Sequence, residues 1–196
     1  APDTKLNKNA EMTFHYSPED VEGSAPEALG IAHQDQAGIW QGRVDVKVDK
    51  VNKTVKAPVS HLAHWAFYEQ FYIECDKKEA APLEQAKLVV KFLESRTVPK
   101  EGDPYGDLLP LSSPQIISAS RVVRWTINGV TDGSKEGDNY ANVGQITEDG
   151  SLAKATYTAP PREPDNNPVA IGAEIDLKHL GHVVLVKNIR VESASN

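Results

Sequence analysis

The chain has 196 residues, enough for one large or two small domains. Its 39% hydrophobic and 25% charged residues are ordinary for a protein that buries a core, and a net charge of −7 argues against a nucleic-acid or anionic-membrane partner. No apolar run reaches the roughly 20 residues needed to insert across a bilayer, and the lone Cys75 excludes an internal disulfide framework and cysteine-rich zinc modules.

Period-two alternation of apolar and polar residues predicts strands along most of the chain. The first series is "EMTFHYS" (11–17), "ALGIAHQ" (28–34), "GIWQGRVDVKVD" (38–49) and "KTVKAPVSHL" (53–62). "PEDVEGSAPEAL" has room for one short helical turn. A second series runs "WAFYEQFYIEC" (65–75), "QAKLVVKFLES" (85–95), "QIISASRVVRWTING" (115–129), "KATYTAP" (154–160), "PVAIGAEIDL" (168–177) and "HVVLVKNIRVES" (182–193). "APLEQAKLVVKFLES" is compatible with a helix as well, but the β-branched and aromatic content of its "KLVVKFL" core favours a strand. Turn residues separate the runs at Asp35–Gly38, Asp49–Lys53, Asn128-Gly129, Asp132-Gly133 and Asp149-Gly150. Many short strands with Gly/Pro turns predict an all-β, antiparallel sandwich. Trp125 and Val183–Val186 are expected in its core. No charged and apolar leader opens the chain, so any signal peptide is expected to lie outside it.

Two stretches carry family likenesses. "VVRWTING", "GQITEDG", "ATYTAP", "NPVAIGAEI" and "VVLVKNIRV", in that order over 115–192, resemble a bacterial immunoglobulin-like (Big-type) domain of secreted and surface proteins. Residues 11–66, with a Tyr-containing strand, "LGIA", Gly-x-Trp and a strand ending His-Leu, resemble the C-terminal half of a ZU5/GAIN-like β-domain. These likenesses imply a β-module over 1–66 followed by an immunoglobulin-like sandwich over 67–196. They also imply an extracellular, cell-surface or periplasmic location, with neighbouring domains of a larger surface protein as partners.

In autoproteolytic relatives of the second kind, a Ser or Thr follows His-Leu and attacks the preceding carbonyl. Here Ala63 holds that place in "PVSHLAHW", so cleavage at Leu62–Ala63 has no nucleophile and a non-catalytic module is expected. His61 is read as a packed residue at a strand end. His61/His64 and His179/His182 nevertheless supply four imidazoles, the right number for zinc, although i,i+3 spacing on a strand sends two rings to opposite faces. "EGDPYGD" (101–107) and "DGSKEGDN" (132–139) cluster carboxylates of the kind calcium takes, without the register of a calcium loop. No cofactor is otherwise implied. Finally, Trp65, Phe67, Glu69 and Phe71 share one face of their run, and Ala66, Tyr68, Gln70 and Tyr72 the other. Trp65, Tyr68 and Tyr72 are the candidate platform for a glycan if exposed, or for domain packing if buried.

Overall fold

The computed structural model describes residues 4–43, 45–93, 108–131, 142–177 and 181–193. In chain order its first strands are β1 (Thr4–His15), β2 (Leu29–Gln34), β3 (Trp40–Arg43), β4 (Lys47–Asp49), β5 (Thr54–Leu62), β6 (His64–Glu69), β7 (Phe71–Cys75), β8 (Glu79–Ala80) and β9 (Gln85–Phe92). There follow β10 (Leu108–Pro110), β11 (Gln115–Ile116), β12 (Val122–Ile127), β13 (Val130–Thr131), β14 (Gln145–Glu148), β15 (Lys154–Thr158), β16 (Val169–Asp176) and β17 (His182–Val191). The protein is almost all β, with no helix of seven residues among the described ones, as the alternation requires. The "PEDVEGSAPEAL" stretch forms two single 3-10 turns, Glu19–Val21 and Pro26–Ala28.

The chain forms two compact units and passes between them repeatedly. One comprises Ala1–Val21, Pro26–Gln70 and Phe92–Gln115; the other comprises Glu22–Ala25, Phe71–Lys91 and Ile116–Asn196. A single boundary at 66/67 does not describe this interleaving. The predicted strand 65–75 is broken at Gln70, which lies between β6 and β7.

The first unit has two sheets, β1-β5-β4 and β10-β3-β2-β6, with antiparallel registered pairs. Its core gathers Tyr16, Leu29, Ile31, Val55 and Ala57, with Phe14 and Phe67 in tilted ring contact at 5.8 Å. Alternation explains the placement. On β5, Val55, Ala57, Val59 and His61 are buried, while Lys56, Pro58 and Ser60 between them are only partly covered.

The second unit also has two sheets. One runs β11-β9-β15-β14 with β7 on β9, and the other runs β13-β12-β16-β17-β8. Its registered pairs are antiparallel except β17–β8. Leu88, Val90, Tyr157, Trp125, Ile127, Ile171, Ile175, Leu185 and Ile189 are buried here. Asn128 and Gly129 both take positive φ, 51° and 81°, and join β12 to β13 in a two-residue hairpin, as Asn-Gly predicts. Of the expected core stretch 183–186, Val183 and Leu185 point in, whereas Val184 and Val186 are 49% and 36% exposed. A strand buries every second residue, so the stretch cannot be core throughout.

Residues Glu22–Ala25 bridge the two sheets of this unit. Gly23 N–H donates to Val186 O at 2.6 Å and Val186 N–H to Ser24 O at 3.2 Å. On the other side, Ile73 N–H donates to Gly23 O, and Ser24 Oγ–H to Phe71 O, both at 2.6 Å. Further along β17, Asn188 N–H donates to Glu22 Oε1, Arg190 N–H to Lys78 O and Glu192 N–H to Ala80 O. The β17 edge is thereby paired, which removes a template for unwanted strand addition. Gly23 suits the crossing because its φ is +92° and a Cβ there would stand 2.9 Å from Ile73 O.

Candidate functional site

Two features of the first unit concentrate chemistry, and they lie on opposite faces of the same sheet. In β2, Leu29, Ile31 and His33 are paired across to Glu69, Phe67 and Trp65 of β6 and face inward. Gly30, Ala32 and Gln34 are paired to Tyr68, Ala66 and His64 and face outward.

The inward face holds a ring cluster. His33 and His61 are 4% and 3% exposed. Their ring centroids are 4.7 Å apart in an edge-on contact. His33 stacks on Trp65 at 5.0 Å, and His61 meets Trp65 at 5.2 Å. Trp65 Nε1–H reaches His61 O at 3.4 Å, and Ser60 Oγ lies 3.4 Å from His61 Nδ1. His61 comes from one sheet and His33 and Trp65 from the other, so the cluster ties the two sheets together.

The candidate metal set is thereby redistributed. His61 lies against His33, a residue the sequence reading did not single out, while its i+3 neighbour His64 is exposed on the following strand. His182, in the second unit, has its Nδ1 2.9 Å from Glu174 Oε1, and Arg124 Nε–H donates to the same carboxylate at 2.6 Å. That carboxyl is held below its usual range, first by the His182 contact. His179 lies outside the described residues, as do the carboxylate clusters at 101–107 and 132–139. Among the described residues, no three His, Cys, Asp or Glu side chains converge as a metal site would need.

The outward face forms an apolar trough of about 410 Å³, with Ala32 and Ala66 on its floor and Trp40, Tyr68, Leu93 and Leu111 around it. Small residues make the depression. A Cβ on Gly30 would stand 2.6 Å from Tyr68 Cε1 and Cζ, and one on Gly42 would stand 2.7 Å from Leu111 Cδ2 and 2.9 Å from Tyr68 Oη. The Tyr68 ring therefore lies down across the strands. Burial pushes its hydroxyl up to about 12. At the mouth, Ile39 and Trp40 are 49% and 40% exposed.

The β2–β3 turn that presents them is tightly braced. Asp35 Oδ1 accepts the Ala37 and Ile39 N–H groups at 2.9 and 2.8 Å, and Oδ2 accepts Gln41 Nε2–H at 3.0 Å. These bonds, the one from Ile39 foremost, hold the Asp35 carboxyl below the usual carboxylate range. Gln34 Nε2–H adds a bond to Gly38 O at 3.0 Å.

The expected aromatic platform is not built as one surface. Trp65 faces the core and Tyr68 the trough, while Tyr72 lies on β7 of the second unit. Trp40 takes the exposed position instead. Its signal in the sequence was the pair of isolated glycines, Gly30 and Gly42, within strand patterns. At Ala63 the chain leaves β5 in one sheet and enters β6 in the other, so "SHLAH" is a sheet-to-sheet crossing. Set against known protein families, curated proteins and solved structures, the chain has no significant match.

Proposed function

We propose that this chain is a non-catalytic adhesive β-module of a secreted or surface-anchored protein, and that its first unit grips an apolar side chain of a protein partner in the trough beside Trp40. The observation that carries the reading is an exposed Trp40–Ile39 pair held by a braced turn at the mouth of a preformed apolar depression. Recognition sites are commonly concave and apolar, with an aromatic anchor already in place. The non-catalytic part is supported by Ala63, which has no nucleophilic atom, and by His61, whose ring meets His33 and Trp65 rather than a substrate-facing carboxylate. The immunoglobulin-like and ZU5/GAIN-like residue patterns support the extracellular setting.

A glycan is the competing occupant, since sugars stack on exposed tryptophan. The lining weighs against it, because Ser112, Ser113 and the Tyr68 hydroxyl are few beside Ala32, Ala66, Leu93 and Leu111, and a polyhydroxylated ring sunk there would leave most of its hydroxyl groups without partners.

The test is a binding screen of the whole chain against apolar-side-chain peptides and a glycan panel, read by calorimetry. Covering the exposed part of Trp40 removes about 80 Å² from water, or about 2 kcal/mol at ~25 cal/mol/Å². Trp40→Ala should therefore weaken a peptide hit more than tenfold. Binding that survives Trp40→Ala, or hits confined to glycans, would overturn the assignment.

A further inference from the structure

The floor of the trough is a flat lane between two aromatic rings. Gly42, Ala32 and Ala66 are registered side by side across β3, β2 and β6, so nothing longer than a methyl group rises from that row. Two residues along on the same face, the row Trp40–Gln34–His64 brings the Trp40 indole to one side of the lane. On the other side stands Tyr68, paired with Gly30. Its Oη would lie 2.8 Å from a Cβ on Gly30 and 2.9 Å from one on Gly42. The Tyr68 ring therefore reaches from β6 towards β3 alongside the alanines, and carries its hydroxyl to the Gly42 end of the lane.

Among the described residues that hydroxyl has no hydrogen-bond partner, and burial alone pushes it up to about 12, so it stays protonated at ordinary pH. Tyrosine hydroxyls withdrawn from water are normally paired, as Tyr157 Oη is with Val143 O. We infer that the trough takes a tyrosine side chain of the partner protein, its ring on Ala32 and Ala66 and its hydroxyl against Tyr68 Oη, and that Tyr68 selects it. This inference rests on the reading of the trough as a protein-binding site.

The geometry separates the possible occupants. An aliphatic side chain fills the lane but strips water from Tyr68 Oη and replaces it with nothing. Phenylalanine gains the ring contacts and strands the same hydroxyl. Tyrosine supplies both, since its ring meets two aromatic flanks and its hydroxyl can accept from Tyr68 or donate to it. A single hydroxyl is satisfied where the several of a sugar are not.

The experiment is an NMR titration of the whole chain, followed at the Trp40 indole N–H. Capped Gly-Tyr-Gly, Gly-Phe-Gly and Gly-Leu-Gly peptides are compared on wild type and Tyr68→Phe. Wild type should bind the tyrosine peptide about tenfold more tightly than the other two, because only that complex pairs the hydroxyl. Tyr68→Phe keeps the ring over Gly30 and Gly42 and should abolish the preference for tyrosine over phenylalanine while still binding both. If the variant fails to fold, the wild-type ratio decides the matter alone. Phenylalanine or leucine bound as tightly as tyrosine by wild type, or a preference that survives Tyr68→Phe, would overturn the tyrosine assignment and leave the apolar trough standing. A Trp40 signal that none of the three peptides moves would overturn the trough reading and this inference with it.

Discussion

Tyr157→Phe removes one oxygen from the most enclosed aromatic of the second unit. Tyr157 is fully buried, and its hydroxyl donates to Val143 O at 2.9 Å, within the segment that leads into Gly144. The ring packs on Gly144, where a Cβ would stand 2.7 Å from Tyr157 Cε2. Phenylalanine fills nearly the same space, so little of the loss comes from packing. What is lost is one neutral hydrogen bond, and a carbonyl is left facing an apolar edge, for a total of about 2 kcal/mol near neutral pH. Burial also pushes the Tyr157 hydroxyl well above its ordinary range. An unfolded tyrosine ionises near pH 10. Above that pH the unfolded chain therefore binds fewer protons than the folded one, and wild-type stability falls as pH rises. The variant lacks this contribution. Urea titrations of the whole chain at pH 7 and 11 should show a gap of about 2 kcal/mol at pH 7 that narrows by about 1 kcal/mol at pH 11. A gap under about 0.3 kcal/mol at neutral pH, with parallel alkaline losses, would refute the reasoning.

Three further outcomes are expected. Glu22→Gln removes a charge from the carboxylate that takes Lys187 Nζ and Asn188 N–H, and should cost the second unit about 1 kcal/mol in urea at low salt, shrinking in 1 M salt. Cys75 is half-buried, and burial pushes its thiol up, so it should react slowly with a disulfide reagent at pH 7 and at once in denaturant; native labelling as fast as that of a free thiol would contradict this. Ala63→Ser should leave the chain in one piece on prolonged incubation, because a hydroxyl alone supplies neither a distorted peptide bond nor an oxyanion donor; two fragments in a mass spectrum would show otherwise.

The strands were legible because alternation is a local property. "KTVKAPVSHL" places Val55, Ala57, Val59 and His61 on one side whatever the rest of the chain does, and β5 follows it. The Asn128-Gly129 hairpin was equally local, since those two residues relieve the positive φ it needs. The interleaving of the units was hidden for the opposite reason. "EGSA" at 22–25 has no periodicity, and its role emerges only when Val186 and Ile73, far away in sequence, offer it hydrogen-bonding partners. The ring cluster was half legible. His61 was identified as a packed strand-end residue, but its partner His33 lay in a strand with nothing in its local pattern to single it out. The aromatic platform does not form because "WAFYEQFYIEC" is two strands, although its alternation runs on as if it were one. The break at Gln70 sends Tyr72 to β7, in another unit, while Trp65 and Tyr68 remain on opposite faces of β6.

The β10-β3-β2-β6 sheet shows why its two faces ask for different residues. Its inner face must join a second sheet, and it does so with bulky side chains, Ile31, Phe67 and the His33–Trp65 stack. Its outer face is floored with Gly30, Ala32, Gly42 and Ala66, so the backbone there is overlaid by Tyr68 and Leu111 rather than by a full layer of its own side chains. At Ala32 and Ala66 a sheet that served only as a wall would gain stability from β-branched residues, whereas at Gly30 and Gly42 a Cβ would strike Tyr68 or Leu111. The two alanines give up that gain, and the Asp35 turn keeps Trp40 partly in water at the edge of the resulting depression. A local choice that costs stability without improving packing is the pattern expected of a binding surface. That contrast, more than the volume of the trough, is the reason to seek the partner there.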